Sequence, residues 1–140
     1  MVADYGAFSF SEKREDGYQY FGLRVSAGDG KSPSFDFMLD DGRSFNAGTL
    51  TIESAKSMFA EVESFESSTL DGNTQWMHFK QGPIRVLFCE GVLDSVYVVS
   101  GGKIRPSEQS EFVAIPIAES EMKRVFGEPK KYRRGYGSNP

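Results

Sequence analysis

The sequence predicts an α+β fold: a mostly antiparallel, curved meander sheet of about seven or eight strands, one main helix packed on one face, and a short C-terminal helix. Three observations predict it. Apolar and polar residues alternate in short runs separated by Gly- and Asp-containing turns. One segment, Ile52 to Phe65, changes to a helical period. And 140 residues with a hydrophobic fraction of 39% and 12 phenylalanines suffice for one core without staples.

The elements follow in order. Phe8 and Phe10 sit two apart among small residues, as in a half-buried strand. Glu15, Asp16 and Gly17 signal a turn. Phe21, Leu23 and Val25 line one face of a second strand, with Tyr20 and Arg24 on the other, until Gly28, Asp29 and Gly30 break it. Phe35, Phe37 and Leu39 alternate with Ser34, Asp36 and Met38. Asp41 and Gly42 then form a hairpin signal before a short strand around Phe45. Ile52, Ala55, Phe59, Val62 and Phe65 recur at helical spacing, with Thr51 as N-cap, Glu53 in the first turn and Leu50 placed to staple onto Ala55. The polar run from Ser64 to Thr74 predicts a loop.

The second half is a run of strands. Met77 and Phe79 alternate with Trp76, His78 and Lys80; Gln81, Gly82 and Pro83 turn the chain; Ile84 to Cys89 is apolar on both faces except at Arg85, as in a central strand. Val92 to Val99 follows the turn at Glu90 and Gly91, with Val96 and Val98 opposed by Ser95, Tyr97 and Val99. A loop runs from Gly101 to Ser110, and Phe112 to Ile117 makes a last strand, in which Pro116 belongs at an edge or end because it has no N–H to donate. Glu119 to Phe126 is a short helix stopped by Gly127, with Pro129 just beyond. Tight turns between consecutive strands imply antiparallel pairing.

Charge is divided unevenly. Residues 122–140 hold six basic residues, Lys123, Arg124, Lys130, Lys131, Arg133 and Arg134, against Glu128 alone, or +5; this leaves ten basic and nineteen acidic residues elsewhere, or −9, within a net of −4. The division predicts a single acidic domain over 1–127 and a basic tail over 128–140. The N-terminus has no secretory pattern and no run is long and apolar enough for a membrane span, so the expected setting is cytoplasmic.

Several chemistries lack their residues. Cys89 is the only cysteine and His78 the only histidine, so no internal disulfide or Cys-based zinc site can form, and no metal or cofactor is expected. Gly28, Asp29, Gly30, Lys31 and Ser32 are a turn rather than a phosphate loop: Val25 stands where the first glycine belongs, and Pro33 with a strand pattern follows instead of a helix. Asp36, Asp40 and Asp41 miss the spacing of a calcium loop. Cys89, in the most apolar strand, reads as an inert small hydrophobe.

The leading functional expectation is a protein-binding module, of inhibitor or immunity type, that neutralises a basic partner protein by electrostatic complementarity. Its contacts are expected at Asp36, Asp40, Asp41, Glu61, Glu63 and Glu66, with Tyr20 and Trp76 as aromatic anchors and His78 beside them. An alternative is nucleic-acid binding through Lys130, Lys131, Tyr132, Arg133, Arg134 and Tyr136, whose cations suit phosphates and whose rings suit bases. A second alternative is a small-ligand pocket or an enzyme using His78. The exposed aromatics or an edge strand would also suit a homodimer.

Overall fold

A computed structural model describes residues 2–12, 19–26, 35–70, 72–106 and 110–133. Its strands are β1 (Val2–Asp4), β2 (Phe8–Glu12), β3 (Gln19–Ser26), β4 (Asp36–Met38), β5 (Ser44–Asn46), β6 (Glu61–Thr69), β7 (Gly72–Gln81), β8 (Ile84–Cys89), β9 (Val92–Val99), β10 (Lys103–Arg105), β11 (Val113–Ala114), β12 (Ile117–Ala118) and β13 (Lys131–Arg133). Two helices, α1 (Ile52–Met58) and α2 (Glu119–Phe126), complete the elements used below. The turn signals at 15–17 and 28–32 lie outside the described residues.

The strands pair antiparallel, as the turns require, but in two sheets rather than one. The long sheet runs β13-β1-β2-β3-β9-β8-β7-β6, with β12 also pairing β3; the short sheet runs β11-β10-β4-β5. The meander is therefore interrupted twice, where the chain leaves β3 for β4 and where β9 leads to β10. Packing accounts for the split. The inner face of the long sheet carries Phe10, Phe79, Ile84, Val86, Val96 and Val98, none of them exposed. A single short helix covers too little of that stripe, and Phe37, Phe45 and Ile104 of the short sheet close the core from the other side. Aromatic rings run across the interior: Phe37 meets Phe45 at 5.2 Å, Phe45 meets Phe59 at 5.6 Å, Phe59 meets Phe79 at 6.0 Å and Phe79 meets Phe88 at 5.7 Å. Phe126 closes the opposite end against Phe8, Phe10 and Phe35.

The predicted helix from Ile52 to Phe65 is half that length. It begins as expected, with Thr51 accepting from the Ser54 N–H and Ser54 from the Thr51 N–H. It ends at Met58, whose carbonyl is capped by Arg43 Nη2 at 2.7 Å. Gln81 Oε1 accepts the Ala60 N–H at 2.9 Å and sets the chain into β6. Val62 and Phe65 kept the helical spacing by coincidence: residues 61–69 pair with β7 at nine positions without a register shift. Ser64, Ser67, Ser68 and Thr69 are weak helix formers, and the ladder offers them every backbone partner they need. The expected loop from Ser64 to Thr74 is accordingly the distal part of the β6–β7 hairpin.

Near the C-terminus, α2 spans the expected residues, with Met122 buried and Gly127 at φ 82 in the capping position. The strand predicted over Phe112 to Ile117 is two short strands in different sheets, with Pro116 between them and outside any ladder. Lys131–Arg133, expected in the tail, forms β13 against β1, preceded by a hydrogen bond from the Lys130 N–H to the Asp4 carbonyl at 2.8 Å. Among the described residues no helix is long and apolar enough to cross a membrane.

Candidate functional site

The outer face of the long sheet gathers most of the chemistry that the core does not use. Register defines it. Phe79, Val86 and Val96 lie opposite one another and are buried, so their neighbours one residue along the strands turn outward. One row across the strands reads Glu61, Lys80, Arg85, Tyr97 and Arg24. The next reads Glu63, His78 and Leu87, and the third Phe65, Trp76 and Cys89.

The rings on this face are held in place. Trp76 Nε1 donates to Ser67 Oγ at 2.8 Å, and Trp76 stacks on Phe65 with centroids 6.3 Å apart and planes 9° apart. The Arg24 guanidinium lies 5.6 Å from the centre of the Tyr97 ring. Two adjoining depressions share His78 and Arg85. One, about 310 Å³, is lined mainly by Phe65, Leu87, Tyr97 and Val99; the other, about 420 Å³, by Glu61, Glu63 and Lys80. Phe65 at 41%, Tyr97 at 37% and Val99 at 41% remain exposed. Among the described residues, Glu61, Glu63, Lys80 and Arg85 form no ion pairs, so both signs of charge stand open around His78.

The expected contact residues do not assemble into one acidic surface. Glu61 and Glu63 belong to this face. Glu66 is on a strand rather than in the expected loop, and its register with Gln75 turns it to the other side, where it accepts from Gln75 and Asn73. Asp36 is buried in the short sheet, accepting from Arg105 Nε at 2.7 Å and Asn46 Nδ2 at 3.0 Å. Burial alone would raise the Asp36 pKa, but those hydrogen bonds and the Arg105 charge hold the carboxyl below its ordinary value. Asp41 pairs with Arg43 at the β4–β5 turn, and Asp40 accepts from Gln81 Nε2 at 3.1 Å. Tyr20 lies in β3 in register with Ile117; its side chain falls outside the described residues.

Of the basic tail, Arg134 and Tyr136 lie outside the described residues, and Arg133 stands in register with Val2. The Tyr132 hydroxyl donates to Glu119 at 3.0 Å, and Lys123 lies 6.0 Å from the centre of its ring. This ring is therefore engaged within the fold. Lys130 and Lys131 are exposed.

The sequence pattern places Trp76, His78, Tyr97 and Val99 opposite the core face but gives no such sign for Phe65, Arg85 and Leu87. Phe65 was assigned to the helix. Arg85 and Leu87 were hidden because β8 is nearly apolar on both sides; the lone Arg85 was the available signal that one side meets water. His78 makes no hydrogen bond to a carboxylate or hydroxyl among the described residues, and no group of three His, Cys, Asp or Glu there is placed to hold a metal. Burial pushes the Cys89 thiol above its ordinary pKa, with Asp94 and Glu90 adding to the shift, which keeps it protonated and weakly reactive. A larger depression of about 790 Å³ lies between Phe112, Pro116, Glu121 and Arg124. Compared with models of protein families, with curated proteins and with solved structures, the chain matches none.

Proposed function

We propose that the chain is a protein-binding module whose partner docks on the outer face of the long sheet, over Phe65, Trp76, His78 and Tyr97. One observation carries the reading: a patch of half-exposed aromatic and aliphatic side chains, with Phe65 stacked on Trp76, lies beside unpaired charges of both signs. Stiff aromatic anchors inside a polar rim are the usual makings of a protein interface. The depressions are open, leaving Phe65 and Tyr97 too exposed to enclose a small molecule, whereas a protein surface would cover them. The partner presents an apolar projection to Phe65, Leu87 and Val99 and a basic group to Glu61 and Glu63. The net charge of −4 favours such a partner in approach, and an inhibitor or immunity-type role is the form of the reading that best uses it.

The test is capture from native lysate by three full-length baits: wild type, Tyr97→Ala with His78→Ala, and Asp40→Ala with Asp41→Ala. A stoichiometric protein held by the first and third baits and lost by the second supports the reading. Retention by the outer-face variant, or loss by the Asp40/Asp41 variant alone, contradicts it.

A further inference from the structure

We infer that β6 is a self-recognising edge, through which two copies of this chain join their long sheets into one. The inference does not depend on what the outer face binds. β6 ends the sheet, and among the described residues nothing pairs with its free side. Edge strands are normally blunted by shortness, charged side chains (lysine above all), proline or a bulge. The opposite edge, β13, follows that rule: it has three residues, including Lys131, and is preceded by Pro129 and Lys130. β6 does not. It is nine residues long, contains no proline or lysine, runs without a bulge against β7, and is exposed along nearly its whole length.

The backbone of β6 shows which residues are available. Gln75 directs its carbonyl to the Glu90 N–H and its N–H to Glu90 Oε1, away from β6. Its cross-strand partner Glu66 therefore turns its own N–H and C=O toward the free edge. Alternation adds Val62, Ser64 and Ser68, while residues 61, 63, 65, 67 and 69 face β7.

An antiparallel pair of β6 strands overlaps over all nine residues in only one register, centred on Phe65. In it Glu61 meets Thr69 of the second copy, Glu63 meets Ser67, and Glu66 meets Ser64. No glutamate opposes a glutamate. Sliding by one residue toward the N-terminus sets Glu63 against Glu66, and sliding by two toward the C-terminus sets Glu66 against itself, so like charges reject these neighbouring registers. The centred register also matches outward residues with outward residues: Val62 with Ser68 and Ser64 with Glu66. Phe65 meets Phe65 on the two-fold axis as a close, non-hydrogen-bonded pair, each ring already stacked on its Trp76. The interface is isologous, and the axis stands perpendicular to the sheet, so both outer faces look the same way.

The experiment is analytical ultracentrifugation of the full chain over a concentration series. Wild type is expected to shift from monomer toward dimer. Ser64→Pro removes an outward N–H that β7 does not use and should weaken association at least about tenfold. Ser64→Lys places a cation opposite Glu66 of the second copy and should tighten it severalfold, while Ser64→Glu should loosen it. Register is read by mild oxidation in a Cys89→Ser background: Phe65→Cys should cross-link to itself and Glu63→Cys should not. If Ser64→Pro fails to fold, the opposite responses of the Lys and Glu variants and the cross-linking still decide. A wild type that stays monomeric throughout overturns the inference, as does a dimer indifferent to Ser64 and uncross-linked at 65.

Discussion

Asp36→Ala is expected to weaken the fold and leave partner binding intact, because this carboxylate is a clamp between strands rather than a contact. It stands in register with Arg105 on one side and Asn46 on the other, and only 8% of it is exposed. The substitution removes one charge-assisted hydrogen bond, from Arg105 Nε at 2.7 Å, and one from Asn46 Nδ2 at 3.0 Å. Breaking a fully buried pair costs about 3–5 kcal/mol. The Arg105 side chain is 26% exposed and rests 4.6 Å from the centre of the Phe112 ring, so water recovers part of the loss. About 2–3 kcal/mol is the resulting expectation, or a fall in Tm of roughly 6–12 °C for a domain of this size. The assay is urea and thermal unfolding followed by circular dichroism and Trp76 fluorescence. The pH dependence has a definite sign. Asp36 is held below its ordinary pKa in the fold, so its contribution is fully present above the unfolded value of 3.8 and is lost as pH falls through the folded value. The gap between wild type and variant should therefore be constant near neutrality and narrow in acid. A variant within about 0.5 kcal/mol of wild type, or a gap that does not narrow, would refute the reasoning.

Phe59→Ala should cost about 3–5 kcal/mol, because this ring bridges Phe45 of the short sheet and Phe79 of the long one; a urea midpoint near wild type would break the two-sheet account. Gly102→Ala should destabilise by about 1–3 kcal/mol, since a Cβ there runs into Val98 Cγ1 where the chain passes from β9 to β10, and an unchanged Tm would deny that close approach. Burial, aided by Tyr132, Glu128 and Glu119, pushes Tyr5 up to about 12, while its hydroxyl donates to the Gly127 carbonyl. Its neutral form is thus favoured in the fold: the contribution is whole below pH 10.0 and lost as pH rises toward about 12. Alkaline titration of wild type against Tyr5→Phe should show a steeper loss in wild type across that window; parallel curves would contradict the assignment.

The local chemistry of the sequence was readable where one element decides its own fate. Thr51 announced the start of α1, Gly127 the end of α2, and the alternation around Phe37 and Phe79 announced strands with one wet side. What stayed hidden depends on distant partners. Val62 and Phe65 fit a helix continuing from Phe59 as well as they fit a strand, and only the Gln81 side chain and the β7 ladder choose between them. The division into two sheets was equally hidden, because the pairing of β3 with β9 joins residues far apart in the chain and leaves no local trace. The candidate site was half legible for the same reason. Trp76, His78 and Tyr97 alternate visibly against apolar neighbours, whereas Leu87 looks like core until β7 and β9 fix which way it faces. The acidic residues misled most: similar in composition, they are separated by structure into a buried clamp at Asp36, a turn pair at Asp41 and open carboxylates at Glu61 and Glu63.

The most direct test of the docking face is hydroxyl-radical footprinting of the full chain with and without its captured partner. The account predicts protection concentrated at Phe65, Trp76, His78 and Tyr97, with Phe112 and Tyr132 unchanged. Protection at Phe112 or Tyr132, with the outer face reacting as in the free chain, would contradict it.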